Sequence, residues 1–177
     1  MNQKVSIKVK SGNSLSQNEI REVIDLCSRA FEEDFSSYLD EFGDPVHVLA
    51  KLDDVLVSHA LWITRWMEIK DLARLRTAYV EGVATEEIHH GKGYATAVMK
   101  RLAGEIQGYD IGGLSPADTT LYTRLGWEYW QGSLYTRKDS AWLMVPEESA
   151  MILHTPRTPS LDIQASLSIE WREGEVW

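Results

Sequence analysis

The feature that most restricts the fold of this chain is an apolar segment, residues 78–85, followed by Gly91-Lys92-Gly93 and a helical pattern over residues 94–107. This order predicts a strand that enters a glycine turn and then a helix. Successive backbone N–H groups at such a turn, with the positive end of the helix, bind phosphate oxygens without side-chain charge. Lys92 and a neighbouring histidine, His89 or His90, would add charge. A lone G-x-G fits a solvated surface turn equally well, so both interpretations stay open.

Hydrophobic periodicity predicts strands and helices before this turn. Apolar residues alternate with polar ones over residues 4–10, which is typical of a half-buried strand. Residues 16–19 match a capping box, and apolar residues follow it at helical spacing, so a first helix is expected there. Residues 31–44 carry acidic and aromatic side chains without any Lys or Arg. They predict an acidic loop or a broken helix.

The remaining segments continue this alternation of strands and helices. Residues 46–66 predict a hairpin around Asp53-Asp54, with a second arm that is long or bent. Residues 118–125 predict a short helix ended by Gly126. Further strands are predicted over residues 109–114, 127–130, 133–136, 141–145 and 161–171, the last with the clearest alternation. The order of elements predicts one α/β domain over residues 1–177, built on a mixed sheet.

Charge and composition disfavour several classes of function. Lys and Arg number 18 and Asp and Glu 27, a formal net charge of −9, which disfavours nucleic acid and anionic lipid and favours a cationic partner. A single cysteine, Cys27, forms no internal disulfide, and no Cys and His cluster has metal-ligand spacing, so no metal is expected. No apolar run approaches the roughly 20 residues that span a bilayer. A cytoplasmic protein without membrane contact is expected.

Glu81 is the most unusual residue of the predicted strand at 78–85. It lies between Val80 and Val83 in an otherwise apolar segment. A carboxylate at such a position is solvated, paired or functional. The sequence alone supports an edge glutamate with solvent access as well as a catalytic one.

The ordered motifs of the chain resemble a known superfamily. The strand, glycine turn and helix over residues 79–99, Leu114-Ser115 and the Leu-Tyr-x-x-x-Gly-Trp segment at 121–127 resemble the acetyl-coenzyme A core of GNAT N-acetyltransferases. Residues 31–35, Tyr79-Val80-Glu81 and the terminal residues 170–177 also resemble aminoglycoside 2'-N-acetyltransferases, over nearly the whole chain. The resemblance implies a GNAT acyltransferase fold, with a central mixed, mostly antiparallel sheet flanked by helices.

The same resemblance implies acetyl-coenzyme A as co-substrate. Its thioester would lie along the strand at 83–85 and its pyrophosphate over residues 90–95. The residues implied to bind it are Val83, Ala84, Thr85, His90, Gly91, Lys92, Gly93, Tyr94 and Ala95. The superfamily usually has Arg or Gln three residues before the first turn glycine, where this chain has Ile88. Backbone amides are therefore expected to bind the pyrophosphate.

Three groups are implied to perform acetyl transfer. Glu81 would remove a proton from the amine through water, the N–H of Val83 would polarise the thioester carbonyl, and Tyr122 would protonate the departing thiolate. On the sequence alone, Tyr122 is better explained as a packed aromatic residue.

Carboxylates dominate the residues implied to bind the substrate. The set is Asp34, Asp40, Glu81, Gly82, Ser115, Glu148, Glu175 and Trp177. Surface carboxylates are ordinarily only solvated, and a terminal residue is ordinarily frayed. A polycationic aminoglycoside, however, needs several carboxylates, and the free carboxylate of Trp177 would pair with an ammonium group.

The function implied is acetyl transfer to the 2'-amine of aminoglycosides, which confers antibiotic resistance. Two alternatives stay open: acetylation of another cationic amine, such as a polyamine or a protein amine, and a GNAT-like binding module without turnover. Retention of both Glu81 and Tyr122 favours an enzyme. GNAT proteins commonly form dimers and seven tryptophans supply aromatic surface for one, so a homodimer is compatible with the sequence, which leaves the oligomeric state open.

Overall fold

The computed structural model describes residues 4–72 and 74–177. In chain order, its strands and helices are β1 (Val5–Ser11), α1 (Gln17–Phe31), α2 (Ser36–Glu41), β2 (Val46–Leu52), β3 (Val55–Ile69), β4 (Arg74–Thr85), α3 (Tyr94–Glu105), β5 (Ile111–Leu114), α4 (Thr120–Arg124), β6 (Glu128–Tyr129), β7 (Leu134–Lys138), β8 (Ala141–Met144), β9 (Met151–His154) and β10 (Leu167–Glu170). Short 3₁₀ turns lie at Gly12–Ser14, Glu87–His89 and Ile106–Gly108.

The chain forms two compact units. The first lies within Met1–Ile63 and Val80–Gly104, and the second within Thr64–Tyr79 and Glu105–Trp177. The long strands β3 and β4 each contribute residues to both units. The prediction of one domain over residues 1–177 stays a prediction.

The first unit is built around β1, β2 and the first part of β3, which pair antiparallel. Asp53 and Asp54 connect β2 to β3 with positive φ angles of 48° and 67°, the conformation that a two-residue hairpin turn requires. Ser16 and Glu19 form the predicted capping box at the start of α1. Helix α1 buries Val23, Leu26 and Cys27, and α3 buries Val98, Met99 and Leu102. The predicted hairpin and first helix are confirmed.

In the second unit the strands lie in the order β6-β9-β5-β4-β3-β10-β7-β8. The pairs β4 with β5 and β7 with β10 are parallel. The pairs β3 with β10, β5 with β9, β6 with β9 and β7 with β8 are antiparallel. The predicted α/β fold with a mixed, mostly antiparallel sheet is therefore confirmed.

The prediction of a strand over residues 161–171, the clearest in the sequence, is wrong for most of these residues. The strand there, β10, covers only Leu167–Glu170. Before it, Asp162 forms a turn, because its carboxylate accepts a hydrogen bond from the N–H of Gln164 at 3.0 Å and its carbonyl accepts one from Ala165 at 3.1 Å. Alternation in 161–166 thus reflects a surface turn with apolar anchors. The structure also adds β9, which the sequence analysis missed.

None of the helices formed by residues 4–72 and 74–177 is long and apolar enough to cross a membrane.

Candidate active site

Strand β4 bends at Gly82, between Glu81 and Val83, two of the residues predicted to take part in acetyl transfer. Gly82 is buried and has a φ of +57°, a left-handed conformation that disfavours residues with a side chain. A Cβ there would also lie 2.9 Å from Cζ of Phe35 and 3.4 Å from Cε1 of His59. Only glycine fits this bend. Glu81 and Val83 on either side of it are half-buried.

Polar groups fix both ends of this segment. The carbonyl of Gly82 accepts a hydrogen bond from Nδ1 of His59 at 2.7 Å. The hydroxyl of Ser58 donates to the carbonyl of Ala84 at 3.1 Å, and Nε2 of His90 donates to the carbonyl of Thr85 at 2.9 Å. The last bond joins the strand end to the glycine turn. The structure therefore brings the predicted thioester residues and the predicted pyrophosphate residues into one continuous element.

The glycine turn itself offers backbone groups rather than side chains. Gly91 and Gly93 have φ angles of +73° and +86°, and a Cβ at either would meet open space. The first helical hydrogen bond of α3 joins the N–H of Ala97 to the carbonyl of Gly93 at 3.0 Å. The N–H groups at positions 94–96 precede it and have no acceptor within the helix. This geometry fits an anionic pyrophosphate at the positive end of the helix.

The side chains around the turn add little. Ile88, at the position where the superfamily usually has Arg or Gln, is 78% exposed. Lys92 is exposed and its Nζ lies 3.4 Å from Nδ1 of His89. His89 packs edge-on against Tyr94, with ring centroids 5.5 Å apart. That backbone amides bind the pyrophosphate stays a prediction.

The acidic segment after α1 lies against the bend in β4. Phe35 covers Gly82 and is itself buried in a cluster of aromatic rings with Phe31, Tyr38 and Phe42. Asp34, the residue before it, is exposed. The Ser36 side chain and backbone N–H hydrogen-bond the Asp34 carboxylate and lower its pKa. Asp40 is exposed on α2.

Tyr122 lies in the second unit, on the short helix α4. Its half-buried ring packs edge-on against Trp127, with centroids 6.1 Å apart. Burial, with a smaller contribution from Asp118, raises the pKa of Tyr122 to about 12. The hydroxyl therefore carries its proton near neutral pH, as a proton donor must.

Ser115 and Glu148, two further predicted residues of the second unit, lie in segments that contact each other. The hydroxyl of Ser149 donates to the carbonyl of Pro116 at 3.3 Å. This bond joins the segment that carries Glu148 to the segment that carries Ser115. Ser115 is half-buried and Glu148 is exposed.

The final residues of the sequence are packed rather than frayed. Arg65 on β3 donates to the carbonyl of Val176 at 3.1 Å and to the carboxylate of Glu170 at 2.8 Å. Trp177 is only 4% exposed, and its indole N–H is buried without a hydrogen-bond partner among the residues the structure describes. Glu175, by contrast, is exposed, and its carbonyl accepts a bond from Arg172.

The residues that hold these groups in place were not among the predicted site residues. His47, His59 and Arg65 are buried polar residues, yet none was singled out. Two histidines in the apolar arms of a predicted hairpin were a usable signal, because a buried polar side chain needs partners. Within residues 4–72 and 74–177, no cluster of three or more His, Cys, Asp or Glu side chains has the geometry to hold a metal ion.

Comparisons with known proteins agree with this geometry. Residues 13–130 match the family model described as an acetyltransferase (GNAT) domain. Over 156 residues the chain is 34% identical to a protein named aminoglycoside 2'-N-acetyltransferase from Mycolicibacterium fortuitum, covering 84% of this chain and 80% of that one.

Solved structures share the fold at lower identity. The GNAT family N-acetyltransferase YhbS from Escherichia coli, crystallised in complex with CoA, superposes with a TM-score of 0.66 at 16% identity, over 98% of this chain and 92% of that chain. A GCN5-related N-acetyltransferase from Kribbella flavida matches 74% of this chain with a TM-score of 0.60 at 20% identity, and this chain spans 34% of its length. The chain therefore belongs to the GNAT acetyltransferase family, has its fold and uses acetyl-coenzyme A as co-substrate.

Proposed function

We propose that this protein transfers the acetyl group of acetyl-coenzyme A to the 2'-amine of aminoglycosides and so confers resistance to them. The observation that carries the proposal is the identity of 34% to the Mycolicibacterium relative, which extends over 84% of the chain. A net charge of −9 supports a polycationic substrate. A cytoplasmic location and a homodimer stay predictions.

In the proposed reaction the amine nitrogen attacks the thioester carbonyl carbon, and the carbon–sulfur bond breaks. Glu81 accepts the proton that the amine loses, through a water molecule. The N–H of Val83 stabilises the negative charge that develops on the carbonyl oxygen. Tyr122 donates its proton to the departing thiolate, and its hydroxyl is protonated near neutral pH, as this role requires.

We assign cofactor binding to backbone groups. The segment 83–85 holds the pantetheine arm, with Ala84 and Thr85 anchored by their hydrogen-bonded carbonyls. Residues His90 to Ala95 hold the pyrophosphate. The open left-handed glycines Gly91 and Gly93 support this, since they allow close approach of the phosphates.

We assign substrate binding to exposed carboxylates and to the groups beside them. Exposure of Asp34, Asp40, Glu148 and Glu175 supports contact with ammonium groups. Glu81, Gly82, Ser115 and Trp177 complete the proposed set. Each of Asp34, Ser115, Glu148 and Trp177 lies next to a residue that a defined contact anchors.

The proposal is tested by mixing the pure protein with acetyl-coenzyme A and gentamicin or tobramycin and following the release of free thiol. Mass spectrometry and NMR of the product then locate the acetyl group, which we expect on the 2'-nitrogen. Kanamycin A, which has a 2'-hydroxyl, is the matched control and should not be acetylated at that position.

Each other outcome points to a different function. Acetylation at another amine contradicts the 2' assignment. Thiol release with polyamines or peptides but not with the drugs favours a different cationic substrate. Absence of thiol release with every amine, despite binding of acetyl-coenzyme A, favours a binding module.

A further inference from the structure

A buried pair of histidines lies behind the bend in β4, and a single irregularity in the hairpin brings the pair together. Near the turn, Leu52 pairs with Val55. A register shift between Ala50 and Lys51 then displaces, by one residue, every pair that lies farther from the turn. As a result Leu49 pairs with His59, and His47 pairs with Leu61. Without the shift, His47 and His59 would lie on opposite faces of the hairpin. With it, they are diagonal neighbours on one face.

The two imidazoles form a chain of hydrogen bonds that ends on Gly82. Nδ1 of His47 lies 2.9 Å from Nε2 of His59, and Nδ1 of His59 lies 2.7 Å from the carbonyl oxygen of Gly82. Both side chains are buried, with exposures of 1% and 0%. Sγ of Cys27 lies 3.6 Å from Nδ1 of His59.

These contacts determine where the protons lie. A carbonyl oxygen only accepts, so Nδ1 of His59 carries a proton and donates it to Gly82. A neutral His59 then has a bare Nε2, which must accept from Nδ1–H of His47. Burial lowers the pKa of His47 to about 4 and that of His59 to about 3, so both rings are neutral near pH 7.

The acceptor of this chain belongs to the peptide group that the proposed reaction uses. The carbonyl of Gly82 and the N–H of Val83 are parts of one planar trans peptide unit and point in opposite directions. Fixing the oxygen therefore fixes the direction of the N–H. A hydrogen bond accepted by the carbonyl also polarises the unit and strengthens its N–H as a donor.

We propose that His59, held in one tautomer by His47, is a positioning residue that sets the direction of the Val83 N–H toward the thioester carbonyl. The inference rests on the proposed function for the role of that N–H, and on the hydrogen bonds alone for its orientation. His59 touches no reacting atom and acts only through the backbone at Gly82.

Amide variants separate the two bonds of His59. The nitrogen of an Asn side chain occupies the place of Nδ1, so His59→Asn keeps the donor to Gly82 and loses the acceptor for His47. His59→Gln places its amide near Nε2, so it keeps the contact with His47 and loses the donor. His59→Leu removes both. At the second site, His47→Asn keeps the donor to His59 and His47→Leu removes it.

We expect kcat to fall on the order of 10²-fold in His59→Gln and His59→Leu, as is typical when a catalytic group is misplaced by about 1 Å. KM for acetyl-coenzyme A should stay unchanged, because the N–H acts as charge develops in the transition state. His59→Asn should recover most of the loss, and His47→Asn should exceed His47→Leu in kcat. Equal losses in all three His59 variants, or no loss in any, overturn the proposal.

Nuclear magnetic resonance keeps this test independent of activity. Long-range ¹H–¹⁵N spectra of the wild-type protein should show both rings neutral and protonated at Nδ1, and a proton on Nε2 of His59 overturns the proposal even where a variant fails to fold. The amide resonance of Val83 should move in His59→Leu and His59→Gln and return in His59→Asn. If the wild type acetylates no amine, the proposed function fails, and the Val83 resonance alone decides the orientation.

Discussion

In each unit, a buried side chain donates a hydrogen bond to the backbone carbonyl just before a proposed site residue. The side chain is neutral in the first unit and positively charged in the second. In the first unit, neutral His59 donates to the carbonyl of Gly82. In the second unit, the guanidinium of Arg65 donates to the carbonyl of Val176. Each bond orients the peptide unit that continues into the next residue, Val83 or Trp177.

The difference lies in what each anchor requires from its surroundings. The imidazole of His59 needs only one further neutral partner, His47, and so buries no charge. Arg65 is a buried cation, 4% exposed in its side chain, and needs the carboxylate of Glu170 beside it. Removing one partner of a buried ion pair destabilises a protein, because the other charge loses its partner. Burial of a neutral histidine pair instead makes the free energy of unfolding depend on pH. The two anchors should therefore fail under different conditions.

The largest effect is expected at Tyr122, a side chain proposed to act directly rather than as an anchor. Tyr122→Phe removes the proton donor, so kcat should fall about 10²- to 10⁴-fold while substrate affinity stays nearly constant. Steady-state kinetics and calorimetric binding of both substrates check this. Tyr129→Phe, which alters an exposed tyrosine, is the matched control. Unchanged turnover in folded Tyr122→Phe protein would remove the proton-donor role.

Removal of the charged anchor should cost the most stability. Arg65→Met removes the buried guanidinium from the carboxylate of Glu170 at 2.8 Å and from the carbonyl of Val176 at 3.1 Å. The carboxylate keeps the N–H of Trp66 at 3.0 Å and is partly exposed, so we expect the free energy of unfolding to fall by about 2 kcal/mol. Arg74→Met is the control, because its ion pair with Glu68 involves a side chain that is 63% exposed and should contribute no more than about 1 kcal/mol. Urea unfolding measures both. Equal losses would mean that burial does not distinguish the two arginines.

Acid should weaken the neutral anchor first. The pKa values of His47 and His59 are lowered from 6.5 to about 4 and about 3, so the unfolded chain binds more protons below pH 6.5. Their contribution to stability is complete above pH 6.5 and is lost as the pH falls toward 4. The free energy of unfolding should decline by up to about 1.4 kcal/mol per pH unit for each histidine.

Urea titrations between pH 7 and pH 5 measure this slope. The upper part of the window isolates the histidines, since the lowered pKa values of the carboxyls of Glu19, Asp34 and Asp118 act at lower pH. His47→Asn removes one of the two titrating rings and should reduce the slope. A wild-type protein equally stable at pH 7 and pH 5 would contradict neutral burial of the pair.

The smallest effect is expected at the exposed charges of the proposed substrate site. Glu175→Gln should weaken aminoglycoside binding up to about fivefold, the upper range for one exposed ion pair, and leave acetyl-coenzyme A binding unchanged. Added salt should act in the same direction, because it screens exposed charges. Glu173→Gln, in the same exposed segment, is the control. Identical calorimetric affinities for all three proteins would remove Glu175 from the site.

Much of the fold was predictable because it depends on local signals. The alternation over residues 4–10 and the capping box at 16–19 predicted β1 and the start of α1, and both formed as expected. The alternation over residues 161–166 misled, since the turn at Asp162 competes for the same backbone. Strand β9 was missed because its four residues, Met151–His154, are too short to show a period.

The candidate site was predictable only in part. Gly91 and Gly93 made the glycine turn predictable from the sequence. The contact between His47 and His59 was not predictable, because it depends on the one-residue shift in the hairpin. A regular hairpin extended from Asp53-Asp54 would have separated His47 and His59. Pairing irregularities of this kind depend on tertiary packing, so periodicity alone does not reveal them.

The burial of Cys27 has a practical consequence for measurements on this protein. It is the only cysteine of the chain, it is fully buried, and burial raises the pKa of its thiol to about 12. Because disulfide reagents react with the thiolate, the folded protein should stay silent in an assay that counts liberated coenzyme A thiol. If the protein alone reacts slowly with the reagent, the rate of that reaction would report how often the region around Cys27 and His59 opens, since each molecule reacts once.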